Sequence, residues 1–237
     1  MSTLSLVRHG QATPFQRETD QLSPLGEQQA RTLAQYWLAN EESFDEVYTG
    51  TLVRQQRTEA IVAEAFRKAG VKWPVAQATA GWNEYDAPGV LTRFVPTLAE
   101  RDERFAELVQ TFEQSRGTPE QNRHFQRMFE IAMALWLDGV MEVEGVEAFH
   151  TFEHRVQSAL KAITGDAASR SIAVFTSGGP IGLSVQHILQ APARSFLNIN
   201  WRVRNCSLTE FVFSAGRISL DSFNDVGHLP RDLRSFR

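Results

Sequence analysis

The sequence predicts an α/β fold, a three-layer α/β/α sandwich with a mostly parallel central sheet. Short apolar runs alternate with stretches of helical periodicity along the 237 residues, as they do where helices connect parallel strands. Near the end of the chain, Leu208 to Phe213 and Ile218 to Phe223 flank Ala215-Gly216. This pattern predicts an antiparallel hairpin at one edge of the sheet. The length fits one domain with a large core.

The first part of the chain supplies three predicted strands and two predicted helices. The strands are Leu4 to Val7, Glu46 to Tyr48 and Val71 to Ala76. The first helix begins at Ser23-Pro24, because serine is a favoured N-cap and proline is favoured at the first helical position. We expect it to run to about Leu38. A second helix spans Thr51 to about Lys68 and ends before Gly70.

The rest of the chain predicts further helices around one more strand. Helical periodicity runs from Pro96 to about Leu137 with a break near Gly117-Thr118-Pro119, and we interpret it as an insertion within a single domain, 1–237. Another helix is expected at Phe149 to Ile163. The strand Ser171 to Phe175 leads through a glycine turn into a helix, Pro180 to Leu189. The apolar run Phe196 to Trp201 suits an interface or an edge strand.

Composition and charge exclude several function classes. The formal net charge of -4 offers no basic surface for nucleic acid. No apolar run reaches the roughly 18 residues of a membrane span, and the start of the sequence lacks the pattern of a secretory signal. Cys206 is the single cysteine, so no internal disulfide is possible, and we interpret it as a small buried residue. We therefore expect a cytoplasmic protein with no nucleic-acid or membrane partner.

The tripeptide Arg8-His9-Gly10 follows the first strand directly. In open α/β sheets, ligands bind at the carboxyl edge of the strands. An imidazole there can attack phosphorus, and a guanidinium can hold the phosphate oxygens. A surface arginine and a capping histidine fit the tripeptide equally well, so further residues must decide between the two interpretations.

Three other segments predict groups at the same edge. Arg54 lies in the first turns of the second helix, where two guanidinium groups and a helix N-terminus would form an anion site. Glu84 lies in a polar loop, and a carboxylic acid beside a phosphate has a raised pKa and can protonate a leaving oxygen. Asp86 competes for this role. Ser177-Gly178-Gly179 joins a strand to a helix, an arrangement that cradles phosphate. Taken alone, Arg54 also fits a solvated arginine, Glu84 a loop carboxylate in water, and Ser177-Gly178-Gly179 a common Gly-Gly turn.

Taken together, these segments resemble the histidine phosphatase superfamily, the phosphoglycerate-mutase-like proteins. Leu6 to Ala12 matches the N-terminal motif of the family, and Arg54 to Ala60 resembles its second arginine segment. Asn83-Glu84 falls where the family carries its acid. Leu22 to Ala30 is similar to the family's first helix, and the resemblance extends over nearly the whole chain.

The resemblance implies a role for each residue. His9 would be the nucleophile that forms a phosphohistidine, while Arg8 and Arg54 would bind the phosphoryl oxygens. Glu84 would protonate the leaving group and then activate water. No metal or other cofactor is implied, because the two arginines serve as the charge clamp. The insertion at about 96–137 would cover the active site and help to select a small phosphorylated substrate.

The sequence departs from the family at one position. The family places a second histidine in a Ser-His-Gly-Gly type of turn, whereas this chain has Ser177 there. The lost hydrogen bond is worth roughly 1.5–3 kcal/mol, which corresponds to about a 10- to 100-fold loss of rate. The Ser177 hydroxyl and nearby backbone N–H groups, including that of Gly178, remain as donors. His228 is a possible substitute if its segment folds back near the site.

Three functions follow from these observations. The first is a metal-independent phosphatase that works through phospho-His9. The second, suggested by Ser177, is a degenerate module that binds a phosphorylated ligand without turnover. The third is a mutase, which is disfavoured because Thr13 to Gln16 stand where the family's sugar-phosphate mutases carry an asparagine. The sequence does not determine the substrate or the oligomeric state.

Overall fold

A computed structural model describes residues 2–13, 20–165 and 169–236 of the chain, and within these ranges six strands form one sheet. The strands are β1 (Ser2–Arg8), β2 (Glu46–Thr49), β3 (Gln77–Ala78), β4 (Ser171–Thr176), β5 (Leu208–Ser214) and β6 (Arg217–Asp225). Their order across the sheet is β3-β2-β4-β1-β5-β6. The first four strands in this order are parallel, whereas β5 pairs antiparallel with β1 and with β6. The predicted hairpin is thus confirmed.

The helices follow the predicted order. In chain order they are α1 (Pro24–Ala39), α2 (Val53–Lys68), α3 (Ala87–Gly89), α4 (Val95–Arg101), α5 (Glu103–Gln114), α6 (Gln121–Leu137), α7 (Phe149–Thr164), α8 (Gly178–Ile188) and α9 (Ser195–Asn200). A π-helical turn at Val90–Phe94 and 3-10 turns at Ala80–Trp82 and Arg231–Leu233 complete the set. No helix in the described part of the chain is long and apolar enough to cross a membrane.

Apolar side chains are buried on both faces of the sheet. Val7, Ala173 and Phe175 pack with side chains of α1 and α2 in one core cluster. Successive residues of a strand point to opposite faces, so Leu6 and Val174 face the other way, and they too are fully buried. Each face of the sheet is therefore covered, which agrees with the predicted three-layer α/β/α fold.

The start of α1 forms as its sequence predicts. Ser23 is the N-cap, and its hydroxyl accepts a hydrogen bond from the N–H of Gly26 at 3.1 Å, with Pro24 at the first helical position. A serine cap satisfies a backbone donor that the helix leaves unpaired. The Ser23 hydroxyl also donates to the side chain of Gln11 at 2.8 Å, so the cap ties α1 to the loop after β1.

The chain divides into two compact units, Met1–Glu84 with Arg155–Arg237, and Tyr85–His154. The smaller unit is helical, and the predicted insertion at about 96–137 falls within it. Its α5 and α6 are separated at the predicted break, and Asp102 adds a second break by capping α5 at the N–H of Arg104 (2.9 Å). A single-domain organisation and an insertion that covers the active site stay predictions.

Two of the element predictions are wrong. Val71 to Ala76 is an irregular segment, and the strand that pairs with β2 is Gln77–Ala78. Pro74 has no N–H for a sheet ladder and Val75 is 90% exposed, while Trp73 packs against the core. Of the two alternatives for Phe196 to Trp201, the edge strand is wrong, because the run lies largely in the helix α9, in which Phe196 is buried. An interface at this run stays a prediction.

Candidate active site

The carboxyl ends of β1, β2 and β4 lie at one edge of the sheet. The parallel register aligns Arg8 with Thr176 and Thr49 with Phe175. The N–H of His9 extends this ladder by donating to the carbonyl of Thr176 at 2.9 Å. The segments that follow these three strands therefore converge, as the sequence predicts for a ligand site in an open α/β sheet.

The turn after β1 depends on two glycines. A side chain at Gly10 would overlap the carbonyl group of Gly26 in α1, so only glycine allows this close approach. The N–H of Gly10 donates to the hydroxyl of Thr58 in α2 at 3.1 Å, and Thr58 in turn donates to the carbonyl of Arg54 at 2.7 Å. The turn is thus fixed against both helices, and with it the position of His9.

His9 is buried, and its hydrogen bonds determine its tautomer. Nδ1 lies 2.7 Å from the carbonyl oxygen of Gly10. A carbonyl oxygen can only accept, so Nδ1 carries the proton and Nε2 presents a lone pair. The Nε of Arg54 donates to Nε2 at 3.1 Å. Burial, followed by the charges of Arg54 and Arg8, holds the pKa of His9 well below its ordinary value of 6.5.

Arg54 is held at the N-terminus of α2 by an ion pair that the sequence did not reveal. Its Nη1 donates to the carboxylate of Asp20, which also accepts from the N–H of Val53 at 2.6 Å. Arg57, the other arginine of this segment, pairs with Glu27 at 2.8 Å instead. Of the two arginines, Arg54 is therefore the one that contacts His9.

Arg8 contacts main-chain carbonyls and the start of α8. Its Nη1 donates to the carbonyls of Val203 and Phe236, the second at 2.9 Å. A Cβ atom at Gly178 would lie 3.9 Å from Cζ of Arg8 and 2.8 Å from Oδ1 of Asn200. The guanidinium thus lies next to the glycine at the N-terminus of α8, which brings two of the predicted phosphate-binding residues together.

Glu84 joins the same helix end. Its two carboxylate oxygens accept from the N–H of Gly179 at 3.0 and 3.3 Å. Arg155 donates to four carbonyls of this loop, including those of Asn83 at 2.8 Å and Glu84 at 3.0 Å. Asp86, the competing carboxylate, caps α3 by accepting from the N–H of Gly89 at 2.9 Å. Glu84 is therefore the carboxylate that lies beside the predicted phosphate cradle.

Ser177 is fully buried at the N-cap of α8. Its hydroxyl oxygen accepts from Nε2 of Gln55 at 2.8 Å, and the same amide donates to the carbonyl of Trp82 at 3.0 Å. Gln55 is itself fully buried in α2. Because Ser177 is the acceptor in this contact, its own proton is left for another partner.

Comparison with known proteins identifies the family of this chain. The family model of the histidine phosphatase superfamily (branch 1) matches residues 4–226. The chain belongs to this superfamily. No curated protein sequence matches it.

Solved structures with the same fold include two phosphatases and a phosphoglycerate mutase. A phosphoserine phosphatase from Entamoeba histolytica, in complex with 3-phosphoglyceric acid, is 21% identical with a TM-score of 0.63, covering 97% of this chain and 100% of its own. A phosphoglycerate mutase from Bacillus anthracis is 16% identical with a TM-score of 0.66, covering 96% and 94%. A mycobacterial glucosyl-3-phosphoglycerate phosphatase is 18% identical with a TM-score of 0.61, covering 97% and 100%.

His228 has neighbours outside this group of residues. Its ring lies 5.4 Å from the ring of Tyr36 in α1, and burial lowers its pKa. A role for His228 in the site stays a prediction. Residues 14–16, on which the argument against a mutase rests, lie outside the described residues.

Four residues of the site were missed by the sequence analysis: Asp20, Gln55, Arg155 and Asn205. Asn205 donates to the carbonyl of His9 at 3.3 Å. Each lies far along the sequence from the predicted site residue, or from the loop, that it contacts. Gln55 lies in Arg54 to Ala60, a segment that the family resemblance singles out, where a polar residue on a predicted helix was the available signal.

We predict that His9 is neutral, with its proton on Nδ1, at pH 6.5. Nitrogen-15 NMR of the ring, assigned with a His9→Gln variant, checks this, and a doubly protonated ring at pH 6.5 would contradict it.

The lowered pKa of His9 also predicts how stability depends on pH. In the unfolded chain the His9 ring takes up a proton near pH 6.5, whereas in the folded protein it does not. His9 should therefore lower the free energy of unfolding as the pH falls below 6.5, an effect that His9→Gln should remove.

Proposed function

We propose that the chain is a metal-independent phosphatase that hydrolyses a small phosphomonoester through a phosphohistidine on His9. The observation that carries this proposal is the state of the imidazole. Its Nδ1 faces the Gly10 carbonyl, its Nε2 lone pair is directed at Arg54, and its pKa is lowered. This neutral, oriented imidazole becomes a nucleophile when the Arg54 N–H moves from Nε2 to a phosphoryl oxygen and frees the lone pair.

In the first step, Nε2 of His9 attacks phosphorus and the bond from phosphorus to the leaving oxygen breaks. Glu84 donates a proton to that oxygen, which leaves as an alcohol. A phosphate dianion nearby raises the pKa of a carboxyl group, so substrate binding itself favours the protonated acid. In the second step, the Glu84 carboxylate takes a proton from water, the water oxygen attacks phosphorus, and the bond to Nε2 breaks to release phosphate.

Positive charge and backbone donors support the binding of the phosphoryl group. Arg8 lies beside Gly178, Arg54 contacts His9, and the N-termini of α2 and α8 face the same edge. A hydrogen bond to a charged group contributes about 1.5–3 kcal/mol. With two guanidinium groups as the charge clamp, the proposed mechanism assigns no step to a metal ion.

A second candidate function rests on Ser177. We infer that Ser177 occupies the position of the second histidine of the superfamily, where an imidazole would donate to a phosphate oxygen. A site that retains His9, Arg8 and Arg54 but lacks that imidazole also suits a module that binds a phosphorylated ligand without turnover. The buried contact between Ser177 and Gln55 favours the phosphatase, because it orients a hydroxyl in place of the imidazole.

The test is turnover of an activated aryl phosphate with a chelator present throughout. We expect the wild type to release the phenol and His9→Ala to be inactive, because the proposed mechanism has no other nucleophile. His187→Ala, on the exposed side of α8, is the matched control and should retain full activity.

Other outcomes decide between the candidate functions. No turnover by the wild type, with inorganic phosphate still raising the melting temperature, would favour the binding module. Activity that disappears with the chelator, or that survives in His9→Ala, would contradict the phosphohistidine mechanism.

We further predict that Ser177→Ala lowers kcat by about 3- to 10-fold, the value of one neutral hydrogen bond in the transition state. Ser177→His should raise kcat by about 10- to 100-fold, since it restores an imidazole donor. Ser184→Ala removes an equally buried hydroxyl from the same helix and serves as the control. A Ser177→Ala variant as active as the wild type would show that this hydroxyl does not act on the phosphoryl group.

A further inference from the structure

The last described residues of the chain, 233–236, are bound to the turn that carries His9. Nε2 of Gln29 donates to the carbonyl of Leu233 at 2.6 Å and to the hydroxyl of Ser235 at 2.9 Å. The N–H of Asn205 donates to the carbonyl of Ser235 at 3.0 Å, and the Ser235 hydroxyl donates back to Oδ1 of Asn205 at 3.0 Å. We refer to residues 233–236 as the tail segment.

The two amides that hold the tail segment also hold the turn after β1. Oε1 of Gln29 accepts from the N–H of Gln11 at 2.8 Å, and Nδ2 of Asn205 donates to the carbonyl of His9 at 3.3 Å. Both amide side chains are buried, where a lost hydrogen bond is costly. Docking of the tail segment is therefore coupled through Gln29 and Asn205 to the conformation of the catalytic turn.

Phe236 completes the link to the phosphate-binding residues. Its carbonyl accepts from Nη1 of Arg8 at 2.9 Å. Its ring lies 5.2 Å from the guanidinium carbon of Arg202 and 5.1 Å from that of Arg204, within the range of cation–π attraction. Three arginines thus contact one residue, although its side chain is 40% exposed and adds little to the core.

These contacts fix the direction of the Arg8 guanidinium. Nη1 donates to two carbonyl oxygens, those of Val203 and Phe236. The guanidinium is a rigid plane with five donors in a fixed arrangement. Two acceptors on one nitrogen therefore determine where the other donors point, and an arginine fixed in advance loses less side-chain freedom when it binds phosphate.

We propose that the tail segment is a positioning element of the phosphate site, which orients Arg8 through the carbonyl of Phe236. Phosphate binding and docking of the tail segment then stabilise each other, because a coupling between two sites is reciprocal. The inference rests on the proposed function in one respect, the assignment of Arg8 as a phosphate ligand.

The test uses Phe236→Ala in the full chain, with binding of inorganic phosphate measured by calorimetry. Loss of the ring removes the contacts with Arg202 and Arg204, so it should loosen the Phe236 carbonyl at Arg8 and raise the Kd for phosphate about 3- to 10-fold. KM for an aryl phosphate should rise more than kcat falls, since Phe236 does not contact the reacting atoms. Phe236→Tyr keeps the ring and should restore binding. Phe223→Ala, at a phenylalanine with 37% exposure on β6, should bind phosphate as the wild type does.

A double-mutant cycle separates positioning from a general loss of stability. If the tail segment acts through Arg8, Phe236→Ala should weaken phosphate binding in the wild-type background and have no further effect in Arg8→Ala. An equal loss in both backgrounds would overturn the proposal. A Phe236→Ala variant with an unchanged Kd would also overturn it.

Limited trypsin digestion shows whether bound phosphate stabilises the docked tail segment or displaces it. Phosphate should slow cleavage after Arg234 in the wild type but not in Arg8→Ala. Faster cleavage with phosphate would overturn the proposal, because the tail segment would then compete with phosphate for Arg8.

If turnover requires His9 and phosphate binding requires Arg8 while Phe236→Ala behaves as the wild type, only this inference fails. If the wild type neither binds phosphate nor turns over an aryl phosphate, the proposed function fails with it.

Discussion

The hydrogen bond between Nδ1 of His9 and the carbonyl of Gly10 is the contact on which the rest of the site depends. It fixes the tautomer, so Nε2 presents its lone pair to Arg54. Gly10 and Gly26 let the turn that makes this contact pack directly on α1. Burial and two nearby guanidinium groups then lower the pKa of the ring. The close approach of Gly10 to Gly26 in α1 thus connects the packing of this helix to the orientation of the His9 imidazole.

The two arginines that we propose as phosphate ligands are each held by a different kind of acceptor. Asp20 pairs with Arg54 through a carboxylate, whereas Arg8 donates to neutral carbonyls of Val203 and Phe236. The site therefore has ordered donors before a phosphate arrives, and such preorganisation lowers the cost of binding and of charge development. The exposed salt bridge between Arg57 and Glu27, by contrast, is of the kind that contributes little.

The sequence was most informative where the physical signal is local. The N-cap of α1, the hairpin and the strand that ends at Arg8 follow from neighbouring residues, and His9, Arg54 and Glu84 follow from their place after strands together with the family motifs. Asp20, Gln55 and the tail segment were missed because their site contacts join residues 33, 122 and 228 positions apart. The predicted strand over Val71 to Ala76 failed because only Trp73 and Ala76 pack against the core, from an irregular segment, while Val71 and Val75 are exposed.

The central claim is that His9 carries the phosphoryl group during turnover. The most direct measurement is mass spectrometry of the protein mixed with an aryl phosphate and quenched in alkali, in which phosphohistidine survives. We expect one phosphoryl group on the peptide that contains His9, and none on the corresponding peptide of the His9→Ala variant. Turnover of the aryl phosphate with no phosphoryl group on His9, or with the group on another residue, would contradict it.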